Sequence, residues 1–154
     1  MAESSAPLDH PQGAGHHPDL PEWARGFRLG LDHKLGFELL EISSDRVVGR
    51  YPVEGNTQVV GLWHGGASGV AVETLASLGA YAYGRERNMI GVGVDLNVTH
   101  HRPVRQGWVT GTATPLHKGG RTTTWQVLLH DDEGNHVGTG RLTCQLVPLP
   151  DDAD

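Results

Sequence analysis

The chain has 154 residues, 37% of them hydrophobic, which suffices for one domain with its own core. A formal net charge of -6 argues against nucleic acid as a partner, and a single cysteine, Cys144, excludes an internal disulfide framework and fits a reducing cytoplasm. No apolar run reaches the roughly 18 residues of a membrane span, and residues 1–8 lack the basic-then-apolar pattern of a secretory leader, so the expectation is a cytoplasmic protein with no membrane partner.

Residues 1–18 are rich in Pro, Gly, Ser and His and almost devoid of large apolar side chains, which predicts a disordered tail. His10, His16 and His17 lie in it and read as solvated residues. Residues 19–27 predict a short helix, with Asp19 as cap, Pro21 in the first turn, and Trp23 and Phe27 on one face. Two strands follow at 37–42 and 47–53, joined by the turn residues Ser43-Ser44-Asp45-Arg46. A connecting segment carrying Gln58 then leads into a helix.

That helix is predicted over 66–83, with Gly84 ending it. Val70, Ala71, Val72, Leu75, Ala76, Leu78, Ala80 and Ala82 cover most of its circumference, so it is buried. Between Glu54 and Glu86 the only acidic residue is Glu73, in the middle of this helix. A lone carboxylate among apolar and small residues costs free energy unless something pairs with it or uses it.

Four more strands are predicted at 90–99, 107–117, 122–130 and 136–147. The last two are joined by the hairpin signal Asp131-Asp132-Glu133-Gly134-Asn135. The order of two strands, a long buried helix and four strands implies an α+β domain over 19–148, followed by a loose acidic tail over 149–154. The expected arrangement is a hotdog fold, a curved antiparallel sheet of about five or six strands wrapped around one long central helix. A single copy leaves much of that surface uncovered, which predicts a dimer at least.

Gly61-Leu62-Trp63-His64-Gly65-Gly66-Ala67-Ser68, followed by Glu73 and Ser77, resembles the hotdog-fold acyl-CoA thioesterases, particularly the 4-hydroxybenzoyl-CoA thioesterases of the Arthrobacter type and the 1,4-dihydroxy-2-naphthoyl-CoA hydrolases. The resemblance extends through His100-His101-Arg102-Pro103-Val104-Arg105 and Pro115-Leu116-His117-Lys118-Gly119-Gly120-Arg121. Sister families carry an aspartate on this helix, so Glu73 marks the glutamate-using branch.

The resemblance implies hydrolysis of an aryl or medium-chain acyl-CoA. The Gly65 N–H at the helix start would receive the oxyanion. His64 would bind or polarise the carbonyl, and Gln58 would orient water or substrate. Ser77 would stand one turn from Glu73 near the acyl carbonyl. Glu73 itself would be nucleophile or general base; the sequence leaves both open. Because Glu73 lies about 12 Å along the axis from its own Gly65, the resemblance implies that it serves the partner subunit of a homodimer, itself half of a homotetramer. The phosphates of CoA would meet His100, Arg102, Lys118, Gly120 and Arg121, with Arg105 behind them. No cofactor and no metal is implied, CoA being part of the substrate. Trp63, Trp108 and Trp125 read as core or interface residues, and Cys144 as an inert strand residue. Two other classes compete: a non-catalytic acyl-CoA binding or sensing module, and a hydratase, which would need an Asp/His pair that is not evident near the helix start.

Overall fold

The computed structural model describes residues 19–149. The tail expected over 1–18 and the acidic end over 150–154 lie outside the described residues. The helix expected over 19–27 contracts to one 3₁₀ turn, Glu22–Ala24, whose cap is Pro21 rather than Asp19. So short a segment cannot sustain a helix by its own hydrogen bonds. It is held instead by aromatic contacts, Trp23 and Phe27 packing on each other and on Tyr81, with ring centroids 5.4–6.1 Å apart. A five-residue helix not anticipated from the sequence, α1 (Gly30–Lys34), follows and buries Asp32.

The six strands are β1 (Glu38–Ile42), β2 (Val47–Pro52), β3 (Met89–His100), β4 (Trp108–Lys118), β5 (Thr122–His130) and β6 (His136–Pro148). Each ends within one residue of expectation. They form one sheet in the order β1-β2-β4-β5-β6-β3, antiparallel throughout. On β5 the alternation sends Thr123, Trp125, Val127 and Leu129 inward.

The central helix, α2 (Gly65–Gly84), touches all six strands, so the sheet curves around it in the hotdog arrangement. Val72, Leu75 and Ala76 are fully buried against Val109, Val127, Leu129 and Leu142. Burial of each larger side chain contributes about 1.5–3 kcal/mol of transfer free energy. Close approach needs small residues on the helix: a Cβ at Gly79 would stand 2.6 Å from the Trp125 ring.

The α-helix ends at Gly84, as expected, but not as a left-handed cap. Gly84 keeps right-handed helical angles, the chain continues into a 3₁₀ turn at Arg85–Arg87, and Asn88 takes the left-handed conformation at φ 51°. Glycine is required at 84 for a different reason, since a Cβ there would lie 2.6 Å from the Met89 carbonyl oxygen. At the far edge of the sheet, β3 exposes Val92, Val94 and Leu96 at 44–59%. Among the described residues no helix is long and apolar enough to cross a membrane.

Candidate active site

The first turn of α2 is fixed by its neighbours. Trp63 is buried, its indole N–H donates to Ser68 Oγ at 2.7 Å, and its backbone N–H donates to the Val104 carbonyl. The His64 N–H donates to the Asn56 carbonyl, and a bridge joins Thr57 to Trp63, so the loop carrying Gln58 is tied to the helix start. Within that loop Gln58 Oε1 accepts the Val60 N–H at 2.8 Å, which leaves the carboxamide NH₂ to donate elsewhere.

The orphan donors of the helix start are nearly all spoken for. Gly66 N–H donates to His64 Nδ1 at 2.8 Å, and the N–H groups of Ala67 and Ser68 donate to the His64 carbonyl. Because Nδ1 accepts, a neutral His64 carries its proton on Nε2, on an exposed ring. The Gly65 N–H is left without an intrahelical acceptor at the positive end of the helix dipole. His100 lies against the Gly65 α-carbon: a Cβ there would be 3.0 Å from His100 Nε2.

Two turns on, Glu73 and Ser77 line a cleft of about 300 Å³ with Phe27, Leu29, Leu78, Tyr81, Ile90 and Gly91. This is at the lower end of small-molecule sites, and its walls are mostly apolar. Ser77 Oγ donates to Glu73 Oε1 across a long 3.4 Å contact. The carboxylate rests over Gly93 of β3, where a Cβ would meet Oε1 head-on, so only glycine leaves it room. Behind it Cys144 pairs with Gly93 and is fully buried. Burial, and then the charge of Glu73, push its thiol up to about 11, against smaller opposing contributions from Ser77 and Thr123. Such a thiol stays protonated at neutral pH and is a poor nucleophile.

The cleft has a second carboxylate that sequence reasoning missed. Asp32 of α1 is buried, and its Oδ1 accepts from both Tyr51 Oη, at 2.5 Å, and Thr74 Oγ1, at 2.7 Å. Burial and the adjacent Asp32 raise the Tyr51 phenol above its usual range. Phe27 and Leu29 were also missed as cleft wall. The spacing of Trp23, Phe27 and Leu29 marks them as apolar anchors, but nothing in the sequence says what they cover.

The basic residues expected around CoA are not gathered in one place. Lys118 Nζ is ion-paired with Asp45 Oδ1 at 2.5 Å and also reaches the Ser44 carbonyl. Arg121, beyond the start of β5, is exposed, and a Cβ on Gly120 would meet nothing. His100 pairs with Gly138, which itself pairs with Leu129 near the other end of β5. His100 and Arg102 are therefore roughly 20–25 Å along the strands from Gly120 and Arg121 in one chain. Arg102 is exposed, and its charge contributes to holding Asp131 below the usual carboxylate range, after the Asn135 hydrogen bonds. His101 turns away from His100 to Thr139, its ring in tilted contact with that of His136. Among the described residues no group of three or more His, Cys, Asp or Glu side chains is arranged to hold a metal.

Residues 60–137 match the family model of the thioesterase superfamily. The chain is 37% identical over 118 residues to the proofreading thioesterase EntH of Cronobacter turicensis, covering 76% of this chain and 85% of that one. Among solved structures it is similar to a thioesterase of Haemophilus influenzae, with a TM-score of 0.74 and 32% identity over 80% of this chain and 87% of that one. A mutant thioesterase of Pseudomonas aeruginosa gives a TM-score of 0.73 and 32% identity, covering 77% and 86%.

Proposed function

The chain belongs to the thioesterase superfamily, and from that premise we propose that it hydrolyses an aryl or medium-chain acyl-CoA to the free acid and CoA. The observation that carries this reading is Glu73, hydrogen-bonded to Ser77 in a largely apolar cleft of about 300 Å³ whose other carboxylate, Asp32, is engaged by Tyr51 and Thr74. Glu73 acts on the thioester carbonyl carbon. As nucleophile it forms a mixed anhydride and expels the CoA thiolate, and water then cleaves the anhydride. As general base it takes a proton from water, whose oxygen forms the new C–O bond as the C–S bond breaks. In both routes negative charge gathers on the carbonyl oxygen, and the Gly65 N–H with the Gln58 carboxamide supplies donors for it. Ser77 orients the attacking water.

Glu73 and Gly65 sit eight residues apart on one helix, about 12 Å along its axis, too far to share one carbonyl. The reading therefore pairs Glu73 of one subunit with Gln58, His64 and Gly65 of a second copy, giving two sites per homodimer. The exposed apolar edge of β3 supports such an assembly. The separation of Arg102 from Gly120 and Arg121 supports CoA contacts shared between subunits, in a homotetramer of two dimers.

The test is thiol release from a panel of 4-hydroxybenzoyl-, 1,4-dihydroxy-2-naphthoyl-, phenylacetyl- and hexanoyl-CoA. Wild type turns over at least one of them, and Glu73→Gln loses about 10³-fold or more in kcat. Tight acyl-CoA binding without turnover would instead make the chain a binding module.

A further inference from the structure

The first turn of α2 has one unused N–H and one imidazole laid over it. The N–H groups of Gly66, Ala67 and Ser68 all return to His64, so only Gly65 faces outward. His100 reaches this point from the end of β3, with Nε2, Cε1 and Cδ2 at 3.0, 3.4 and 3.7 Å from where a Gly65 Cβ would stand. The imidazole edge therefore packs on Gly65 itself, the residue of the first turn whose N–H has no intrahelical acceptor. Among the described residues Nε2 has no hydrogen-bond partner in the protein. The ring is exposed, so its position needs no core role to explain it.

We propose that His100 is a catalytic residue of the thioester site, its Nε2–H donating to the same carbonyl oxygen that the Gly65 N–H receives. This replaces the role in nucleotide binding that its neighbourhood with Arg102 suggests, and it rests on the reading of the chain as an acyl-CoA hydrolase. The oxyanion is then met by a fixed backbone donor and an imidazole donor, with the Gln58 carboxamide close by in chain terms. No proton leaves the ring; the imidazole only strengthens its hydrogen bond as charge develops on oxygen. Such a donor contributes to kcat more than to ground-state affinity. A nucleotide contact would do the reverse.

The experiment compares wild type, His100→Phe and His100→Gln in kcat, KM and inhibition by free CoA, which has no thioester carbonyl. Phenylalanine fills the space without a donor; glutamine restores one. His100→Phe is expected to lose about 10²-fold in kcat, with KM and CoA inhibition within about threefold of wild type. His100→Gln should regain at least about tenfold of that loss. Unchanged CoA inhibition also certifies that each variant is folded. Raised KM and weakened CoA inhibition with kcat intact would overturn the proposal in favour of a nucleotide contact, and equal loss in both variants would reduce His100 to packing. If wild type releases no thiol from any acyl-CoA, the hydrolase reading falls and this inference with it. An active wild type with an unaffected His100→Phe removes this inference alone.

Discussion

The two regions of α2 that the proposed reaction draws on are built by different means. At its first turn the groups are exposed and largely backbone: a free Gly65 N–H, with His64 and His100 on either side. In its middle the group is one side chain, Glu73, set into an apolar cleft and backed by the Gly93–Cys144 pair. In the reaction we propose, the first region answers developing charge, and substitution cannot delete its central donor. In the same proposal the second supplies the reactive carboxylate and borders the acyl group, so that changing one atom of Glu73 should disable it. Both lie on one helix, about 12 Å apart along its axis, and the proposed site therefore draws its two halves from two chains.

The sharpest test of that division is complementation. Glu73→Gln and a second variant disabled in the first turn, Gly65→Ala, should each be nearly inactive. Gly65→Ala must displace His100, because the new Cβ would lie 3.0 Å from Nε2. After mixing through denaturation and refolding, half of randomly formed dimers are mixed, and in each one site combines an intact Glu73 with an intact Gly65. Activity should recover to about a quarter of wild type, more than a hundredfold above Glu73→Gln alone and about fiftyfold above a mixture that is never unfolded. No recovery would mean that each chain uses its own pair, and the two-copy site would have to be abandoned.

A smaller effect separates position from presence. In Gly93→Ala the added Cβ meets Glu73 Oε1, the far end of a flexible side chain, which can swing aside. The fold should therefore survive while the carboxylate leaves its working position. The expected outcome is a 10- to 100-fold fall in kcat with little change in melting temperature. Gly79→Ala makes the opposite case: its Cβ meets the buried Trp125 ring, and overpacking there costs about 1–3 kcal/mol of stability. If Gly93→Ala destabilises as much as Gly79→Ala, its effect on rate says nothing about Glu73.

The same division explains what could be read in the sequence. The strands were legible because β-branched residues, turn residues and alternation agree along each of them, most clearly on β5 from Thr123 to Leu129. The lone Glu73 stood out by contrast with its apolar neighbours, and the His-Gly-Gly turn by its place before them. Gly84 does end α2, but with right-handed angles that lead into a 3₁₀ turn, and a side chain there is excluded by the Met89 carbonyl. The segment from Trp23 to Asp32 was poorly legible. Its elements are too short to carry a period, and the partners of Asp32, Tyr51 and Thr74, lie 19 and 42 residues away. The orientation of His100 was equally hidden, because it depends on where the end of β3 meets the start of α2.

Cys144 gives the smallest effect and reports on the middle region alone. Its thiol is pushed from an ordinary 9.0 up to about 11, by burial first and by the charge of Glu73 second. Above pH 9 the unfolded chain gives up this proton while the folded chain keeps it, so the unfolded state binds fewer protons and stability falls as pH rises. The contribution is fully present below pH 9 and is lost on rising through about 11. The buried Tyr51 phenol, also raised, acts in the same direction at still higher pH. Chemical denaturation at pH 8 and pH 10 should show wild type losing more stability than Cys144→Ala over that interval. In Glu73→Gln the thiol should titrate lower than in wild type but still above 9, because burial persists when the charge is gone. A thiol that ionises near its ordinary value in the folded protein would show that the floor of the cleft admits water, and the low-dielectric setting assigned to Glu73 would go with it.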